Sequence, residues 1–368
     1  MTPTPCIFGV GTGRSGGWLA TNIMSVHSRV MAFNERVHFF RFYYKKYDPL
    51  TPQNAERMIR HLCLRLDARF GLQLTPEPMI DSILANPPIT YKSCYVAIMR
   101  YLSGLAGREI WVEYAPMTWR SVPVFMGMFP NQGRTFHIYR DPRGVLASWK
   151  RMSFMPNNLY LNQIFNWVDS INHLLRFREI YPKERFLPLR FEDIHLHPQE
   201  TVTAICELMG VTVESQQLKP ECWPDLFDER FVEANVSAHD GKRYYGFNPK
   251  LIDNWKKVLD PWEIALTDLL TWPQMEAMGY ERTITGRFDD IRKGLDIVRN
   301  EPFLLRNLQN LLSTGEGTQD LPNDPTKPEN WGAADGFSKF IDTPHYARYV
   351  RDIEAIESLV RKKYECLV

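Results

Sequence analysis

The chain has 368 residues, of which 44% are hydrophobic, 13% aromatic and 24% charged, with 26 Pro and 21 Gly. That composition excludes collagen-like, wholly disordered and low-complexity chains. Lys and Arg number 44 against 43 Asp and Glu, a formal charge of +1, so no global basic field points to nucleic acid or an anionic membrane and any anion chemistry has to be local.

In chain order, residues 6–10 form a short apolar run leading directly into glycines, the pattern of a buried strand feeding a phosphate-type loop. A helix is expected over 18–28, then a second strand over 29–33 ending at Asn34 and Glu35. The stretch VHFFRFYYKKY that follows is read as a wall of a substrate cavity, because it comes directly after Glu35; the alternative is a packed helix with snorkelling lysines. Met58, Leu62, Leu66 and Phe70 give a helix over 51–70 stopped by Gly71, and a further helix covers 92–105. Strands follow at 109–114 and 135–139. The second ends in Arg140-Asp141-Pro142, where Asp at the N-cap and Pro at the first helical position predict an immediate helix start. A strand at 185–189 and helices over 198–209 and 261–278 continue the alternation, which argues for an α/β chain with a mostly parallel sheet covered on both faces. Residues 314–335 are rich in Gly, Pro, Asp and Asn and read as a long exposed connection. A last helix over 346–364 carries Tyr346, Tyr349, Val350, Ile353, Ile356 and Val360 on one face, a stripe read as core packing, with oligomerisation as the alternative. The expected division is a main domain over 1–280 and a helical extension over 281–368 packed on it.

The loop Gly11-Thr12-Gly13-Arg14-Ser15-Gly16-Gly17 leaves a strand and opens a helix. Backbone N–H groups and the helix dipole there favour an anion. Three readings compete. A Walker-type nucleotidase wants Gly, four residues, then Gly-Lys-Ser/Thr; Gly13-Arg14-Ser15 imitates the end, but Phe8 stands where the first glycine belongs and Arg replaces Lys. It also needs an acidic strand end to hold magnesium, whereas TFHIY ends in Arg140. An NAD(P)-dependent oxidoreductase is formally satisfied by Gly11-x-Gly13-x-x-Gly16, with Glu35 near the distance of a ribose-binding acid. That reading leaves Arg140 to Ser148 unexplained. The third uses both loops, with Arg14 and Ser15 at one helix start and Arg140 with Ser148 beyond another strand holding two phosphate-like groups of one nucleotide.

At these residues the chain resembles the sulfotransferases that use 3′-phosphoadenosine 5′-phosphosulfate. GTGRSGGWLA resembles their 5′-phosphosulfate loop, and YRDPRGVLAS their 3′-phosphate motif of Arg followed eight residues later by Ser. LPLRFEDIHLHPQETVTAICELMG and GKRYYGFNPKLIDNWKKVL resemble two later motifs, in the family's order. HSRVMAFNER is similar to the segment in which tyrosylprotein, carbohydrate and bacterial members carry a Glu base, and Glu35 falls on it. The resemblance implies a three-layer fold of P-loop nucleotide-kinase-like topology with helical additions. It implies transfer of a sulfuryl group from that co-substrate to the hydroxyl of a sugar, lipid, natural-product alcohol or phenol, leaving 3′,5′-adenosine bisphosphate. The implied catalytic residues are Glu35 and Arg14; the implied nucleotide-binding residues are Gly13, Arg14, Ser15, Gly16, Gly17, Trp18, Arg140, Ser148, Lys242 and Arg243. Two departures stand out. Gly17 and Trp18 occupy positions where many relatives carry hydroxyls, and Tyr114 in EYAP takes the place of a Lys. A nucleotide-binding protein without turnover therefore stays an alternative.

No metal is expected, since arginines already surround the phosphates and neither H-E-x-x-H nor clustered Cys and His occurs. The six cysteines, at 6, 63, 94, 206, 222 and 366, show no paired spacing and no C-x-x-C, which favours a reducing compartment. No leader pattern opens the sequence, and no run approaches the roughly 18 apolar residues of a spanning helix. The expected setting is the cytoplasm, with no nucleic acid and no membrane span.

Overall fold

The computed structural model describes residues 4–34, 36–70, 72–151, 157–223, 246–283 and 288–320. Five strands, β1 (Cys6–Gly11), β2 (Val30–Asn34), β3 (Ile110–Tyr114), β4 (Gly133–Tyr139) and β5 (Phe186–Arg190), pair in the order β2-β3-β1-β4-β5, every pair parallel. Parallel strands joined by helical crossovers are covered on both faces and so read as near-continuous apolar runs. Alternation along β1 sends Cys6, Phe8 and Val10 into one core cluster and Ile7 into the other.

The thinner layer holds α1 (Gly17–Ser25) and α10 (Pro198–Met209), whose Ile23, Met24, Val202 and Ile205 pack on Val112 and Ile138. The thicker layer contains α3 (Pro52–Phe70), α4 (Glu77–Leu84), α5 (Tyr91–Leu105), α6 (Val122–Met128), α7 (Pro142–Lys150) and α8 (Asn162–Ile180). The short α9 (Phe191–Leu196) continues directly from β5. The central parallel sheet flanked by helices is the α/β architecture expected from the sequence. Helix ends follow their chemistry: Asp141 caps α7 by accepting from the Arg143 N–H at 2.8 Å, and Gly210, at φ +70°, closes α10.

The sequence reading has no helix at α8. Its first ten residues are all buried, including Asn162, Gln163, Asn166, Asp169 and Ser170, so no apolar stripe marks it. The two asparagines find partners outside the helix: the Asn162 and Asn166 amides both donate to the Asp320 carbonyl at 2.7 Å, and Asn162 accepts from Asn307 at 2.6 Å. These bonds also fasten the later chain. Helix α11 (Pro261–Ala277) is followed by α12 (Phe288–Asn300) and α13 (Pro302–Thr314), which pack against α11 and α8. Thr318 N–H then donates to the Phe165 carbonyl at 3.1 Å. The helix expected over 346–364 and the connection beyond residue 320 lie outside the described residues.

The aromatic stretch after residue 35 departs from its expected role. It forms a single helical turn, α2 (Phe39–Phe42), and Phe39, Phe40 and Tyr43 are buried in the thicker core, where Phe39 meets Tyr95 with ring centroids 4.7 Å apart. It is a packed segment, not an open wall, because its apolar rings find partners on α3 and α5.

Gly9 has a specific packing task. It lies between Tyr114 and Phe136 in register, and the two rings lean together over it, stacked at 12° with centroids 5.9 Å apart. A Cβ at position 9 would sit 2.0 Å from the Phe136 ring. Gly9→Ala is expected to destabilise the protein by about 1–3 kcal/mol through overpacking, read by denaturant unfolding. An unchanged midpoint would show that the ring pair moves aside freely.

Candidate functional site

Strands β1 and β4 are parallel neighbours with Gly11 opposite Ile138, so the loops that leave them emerge side by side at the carboxyl edge of the sheet. A Cβ on Gly11 would meet the Ile138 carbonyl oxygen at 2.3 Å, and one on Gly13 would meet the Trp149 ring at 2.9 Å. Arg14 adopts φ +73° and Gly16, the N-cap of α1, φ +95°. This backbone path turns the loop back over the start of α1, where unsatisfied N–H groups gather. Thr12 and Ser15, both buried, share a hydroxyl hydrogen bond, and the Trp149 indole N–H donates to the Gly13 carbonyl at 3.1 Å. The loop is thus tied to α7.

Arg14 Nε donates to Ser148 Oγ at 2.9 Å, joining the two motifs directly. Arg140 lies against them. Its Nη1 approaches the Arg14 carbonyl at 3.5 Å, its Nη2 donates to the Leu251 carbonyl at 3.0 Å, and its guanidinium stacks on Phe191 at 4.1 Å. Its Nε is buried and has no hydrogen-bond partner among the described residues. The adjacent carboxylate does not neutralise it, because Asp141 is engaged by Arg143, at 2.6 Å between Oδ2 and Nη2. Burial accordingly pulls the Arg140 guanidinium below its ordinary pKa, only partly offset by Glu192 and Asp141. Glu192 is itself fixed, accepting from the Asp141 N–H at 3.0 Å and the Tyr280 hydroxyl at 2.9 Å. A half-buried cation whose hydrogen bonds go to carbonyls, beside a helix N-terminus, suits an anionic ligand.

The structure therefore brings Gly13, Arg14, Ser15, Gly16, Gly17, Arg140 and Ser148 together, with half-buried Trp18 on the first turn of α1. Glu35, Lys242 and Arg243 lie outside the described residues. Two contributors, Phe191 and Trp149, and one contact, Tyr114 with Gly17, went unassigned in the sequence. Phe191 fills the space between the loops, its ring 2.4 Å from where a Gly16 Cβ would be; its signal was its place in the LRFEDI motif. Trp149 had the signal of following Ser148. Tyr114 packs against Gly17, a contact with no sequence signal, since it depends on strand order. His195 is buried and accepts from the Asn248 N–H at 2.9 Å, and burial lowers its pKa to about 4. A cavity of about 530 Å³ lined by Cys6, Lys92, Arg100, Arg108 and Trp111 opens at the opposite edge of the sheet, away from these loops. Among the described residues no cluster of His, Cys, Asp and Glu is arranged to hold a metal ion, and no helix is long and apolar enough to cross a membrane.

The parallel α/β sheet gathers both loops at its carboxyl edge, where open α/β sheets bind their ligands. The profile of the Sulfotransferase family matches residues 5–215, more than half of the chain, and the chain belongs to that family. Sulfotransferase 2A1 of Homo sapiens is 27% identical over 105 residues, covering 24% of this chain and 36% of that protein, and its Macaca fascicularis counterpart is 26% identical over 102 residues, with the same shares. The aligned part is thus about a third of the length of these relatives. Two solved structures share the fold. The sulfotransferase domain from the Synechococcus PCC 7002 olefin synthase aligns with a TM-score of 0.51 and 21% identity, over 76% of this chain and 96% of that domain. The sulfotransferase domain from the curacin biosynthetic pathway aligns with a TM-score of 0.50 and 17% identity, over 76% and 99%.

The residues just after position 35 are held from two sides. Glu113, fully buried on β3, accepts from the Phe39 N–H at 2.9 Å and from the Tyr95 hydroxyl at 2.5 Å. Arg65 on α3 donates to the carbonyls of Arg36 and Val37 and to the Tyr43 hydroxyl, and stacks on Phe42. Burial pushes the Glu113 carboxyl up to about 7, against the opposing pull of its hydrogen bonds and of Arg65. Because the folded value exceeds the ordinary 4.5, the native state holds the proton longer. The stability this contributes is complete below the ordinary value and is lost as pH rises through 7. Wild type should thus lose up to about 3 kcal/mol at this group between about pH 4.5 and pH 8. Glu113→Gln should lack that component in urea unfolding at the two pH values; an identical pH dependence would show that Glu113 does not titrate there.

Proposed function

We propose that this member of the family transfers a sulfuryl group from 3′-phosphoadenosine 5′-phosphosulfate to the hydroxyl of an acceptor such as a sugar, a lipid or natural-product alcohol, or a phenol. The observation that carries the reading is the contact of Arg14 with Ser148 beside Arg140, which makes one cationic site of two loops. Arg140 and Ser148 bind the 3′-phosphate, the group that sets this nucleotide apart from ATP or NAD. Gly13, Ser15, Gly16 and Gly17 offer backbone N–H groups to the 5′ side, Trp18 lies along the adenosine, and Lys242 and Arg243 add charge from the later loop. The donor, when bound, supplies the activated sulfuryl group. Arg14 neutralises charge that grows on the departing nucleotide, an effect that is strongest in a closed, fixed site. Glu35 takes the proton from the acceptor hydroxyl; with an ordinary carboxylate pKa of about 4.3 it serves by position more than by basicity. Cysteine usage fits action in the cytoplasm.

Ligand binding raises stability by mass action, so thermal-shift titration separates the readings. 3′,5′-Adenosine bisphosphate is expected to stabilise the protein while NADH and ATP do not; stabilisation by NADH alone would overturn the proposal. Arg140→Ala should weaken the bisphosphate by about ten- to hundredfold, the worth of charge-assisted hydrogen bonds, with adenosine 5′-phosphate little affected. Equal losses for both nucleotides would remove Arg140 from the 3′ side. Glu35→Gln should retain nucleotide affinity and lower kcat by about 10²- to 10⁴-fold, measured with any acceptor the wild type sulfates; unchanged kcat would eliminate Glu35 as the base.

A further inference from the structure

Position 17 begins α1, where an anion held by the 12–17 loop meets the helix N-terminus, and its glycine brings no side-chain donor. The space that a side chain would use is already taken. A Cβ on Gly17 would lie 1.9 Å from Tyr114 Cζ and 2.4 Å from the Tyr114 hydroxyl oxygen. The phenol oxygen therefore stands close to where a serine or threonine hydroxyl at position 17 would stand. It arrives from β3, one strand away from β1, and the ring is held in place: it is 2% exposed, stacked on Phe136 across the gap left by Gly9. A phenol hydroxyl is a good donor to phosphate-type oxygens.

A second observation marks the same edge of the sheet as ligand-facing. Asn34 is Tyr114's partner in register on β2, so the two side chains share a face. Asn34 is only 8% exposed, yet its side-chain oxygen has no hydrogen-bond partner among the described residues. Buried polar atoms are seldom left so unless a ligand or water completes them.

We propose that the Tyr114 hydroxyl donates a hydrogen bond to the anionic group seated at the N-terminus of α1, so that β3 supplies the donor that Gly17 lacks. Positions 17 and 114 then form a matched pair, in which the tyrosine requires the glycine. The inference rests on the nucleotide reading for the identity of the ligand, and on geometry alone for the pairing.

Tyr114→Phe keeps the ring, the stack and the fit against Gly17, so its unliganded melting temperature should stay close to that of the wild type. Its affinity for 3′,5′-adenosine bisphosphate, by calorimetry, should fall by about tenfold or more, while adenosine 3′-phosphate, which has no 5′ group, should bind as before. Gly17→Ser should weaken the bisphosphate in the wild-type background through the clash, but restore binding when combined with Tyr114→Ala. Inorganic pyrophosphate serves as a probe free of the nucleoside. Tyr114-dependent binding of pyrophosphate by a protein that ignores the bisphosphate would refute the nucleotide reading and sustain the role of Tyr114. A bisphosphate affinity equal in wild type and Tyr114→Phe would overturn that role and leave the nucleotide reading standing.

Discussion

Parallel pairing of β1 with β4 is the constraint from which the candidate site follows. Strands that run side by side in one direction release their next residues at the same edge, so two loops 126 positions apart in the chain come into hydrogen-bonding reach. Had the strands been antiparallel, Arg14 and Arg140 would lie at opposite ends of the sheet. The pairing also explains why the second motif spans eight residues. Asp141 and Pro142 start α7 at once, and Ser148 falls two turns along it, where Arg14 Nε finds it at 2.9 Å. Between the loops Phe191 supplies a flat apolar floor, so the Arg140 guanidinium stacks while its edges address carbonyls.

Space around the first loop is set by which neighbours demand it. The Ile138 carbonyl, Phe191, Tyr114 and Phe136 each occupy volume that a side chain at position 11, 16, 17 or 9 would claim. Only at Gly16 and Gly11, with φ of +95° and +154°, does backbone conformation add a second reason for glycine. The other two are glycines because aromatic rings from adjacent strands close over them. The loop is thereby braced by the sheet and α7, which suits a site that must be formed before its ligand arrives.

Much of this was legible because parallel strands buried on both faces and capped helices leave strong local signals: the apolar run before Gly11, the Asp-Pro start of α7 and the helix over 198–209 all read correctly. What failed to show had physical causes. Helix α8 hides because its buried first turns are rich in Asn, Gln and Asp, with partners for Asn162 and Asn166 beyond residue 300 and for Asp169 at Trp119 and Arg120, so no hydrophobic period betrays it. The aromatic run after position 35 was misread because nearness in sequence to a candidate base says nothing about which way rings face; α3 and α5 decide that. The meeting of Tyr114 with Gly17 was illegible for a third reason. It depends on β3 lying beside β1, a fact of topology rather than of local pattern.

Strand order also arranges charge. Along the carboxyl edge, Arg140 follows β4, Arg14 follows β1, Tyr114 ends β3, and Glu35 comes next in sequence after the last residue of β2. Adjacent strands are about 4.8 Å apart, so β4 and β2 are separated by about 14 Å, the scale of an extended nucleotide. The arginines of the two loops thus sit at the β4 and β1 end, while the buried Glu113 on β3 has Arg65 of α3 as its nearby cation. Under the proposed reaction that order assigns directions: the phosphates would bind towards β4, and a base taking the acceptor's proton would serve best away from the arginines that hold the donor. Placing a base beside Arg14 instead would stabilise its charged form and weaken it as a proton acceptor. Under that reading, separation along the sheet would let one edge accommodate both an anion-binding task and a proton-accepting one.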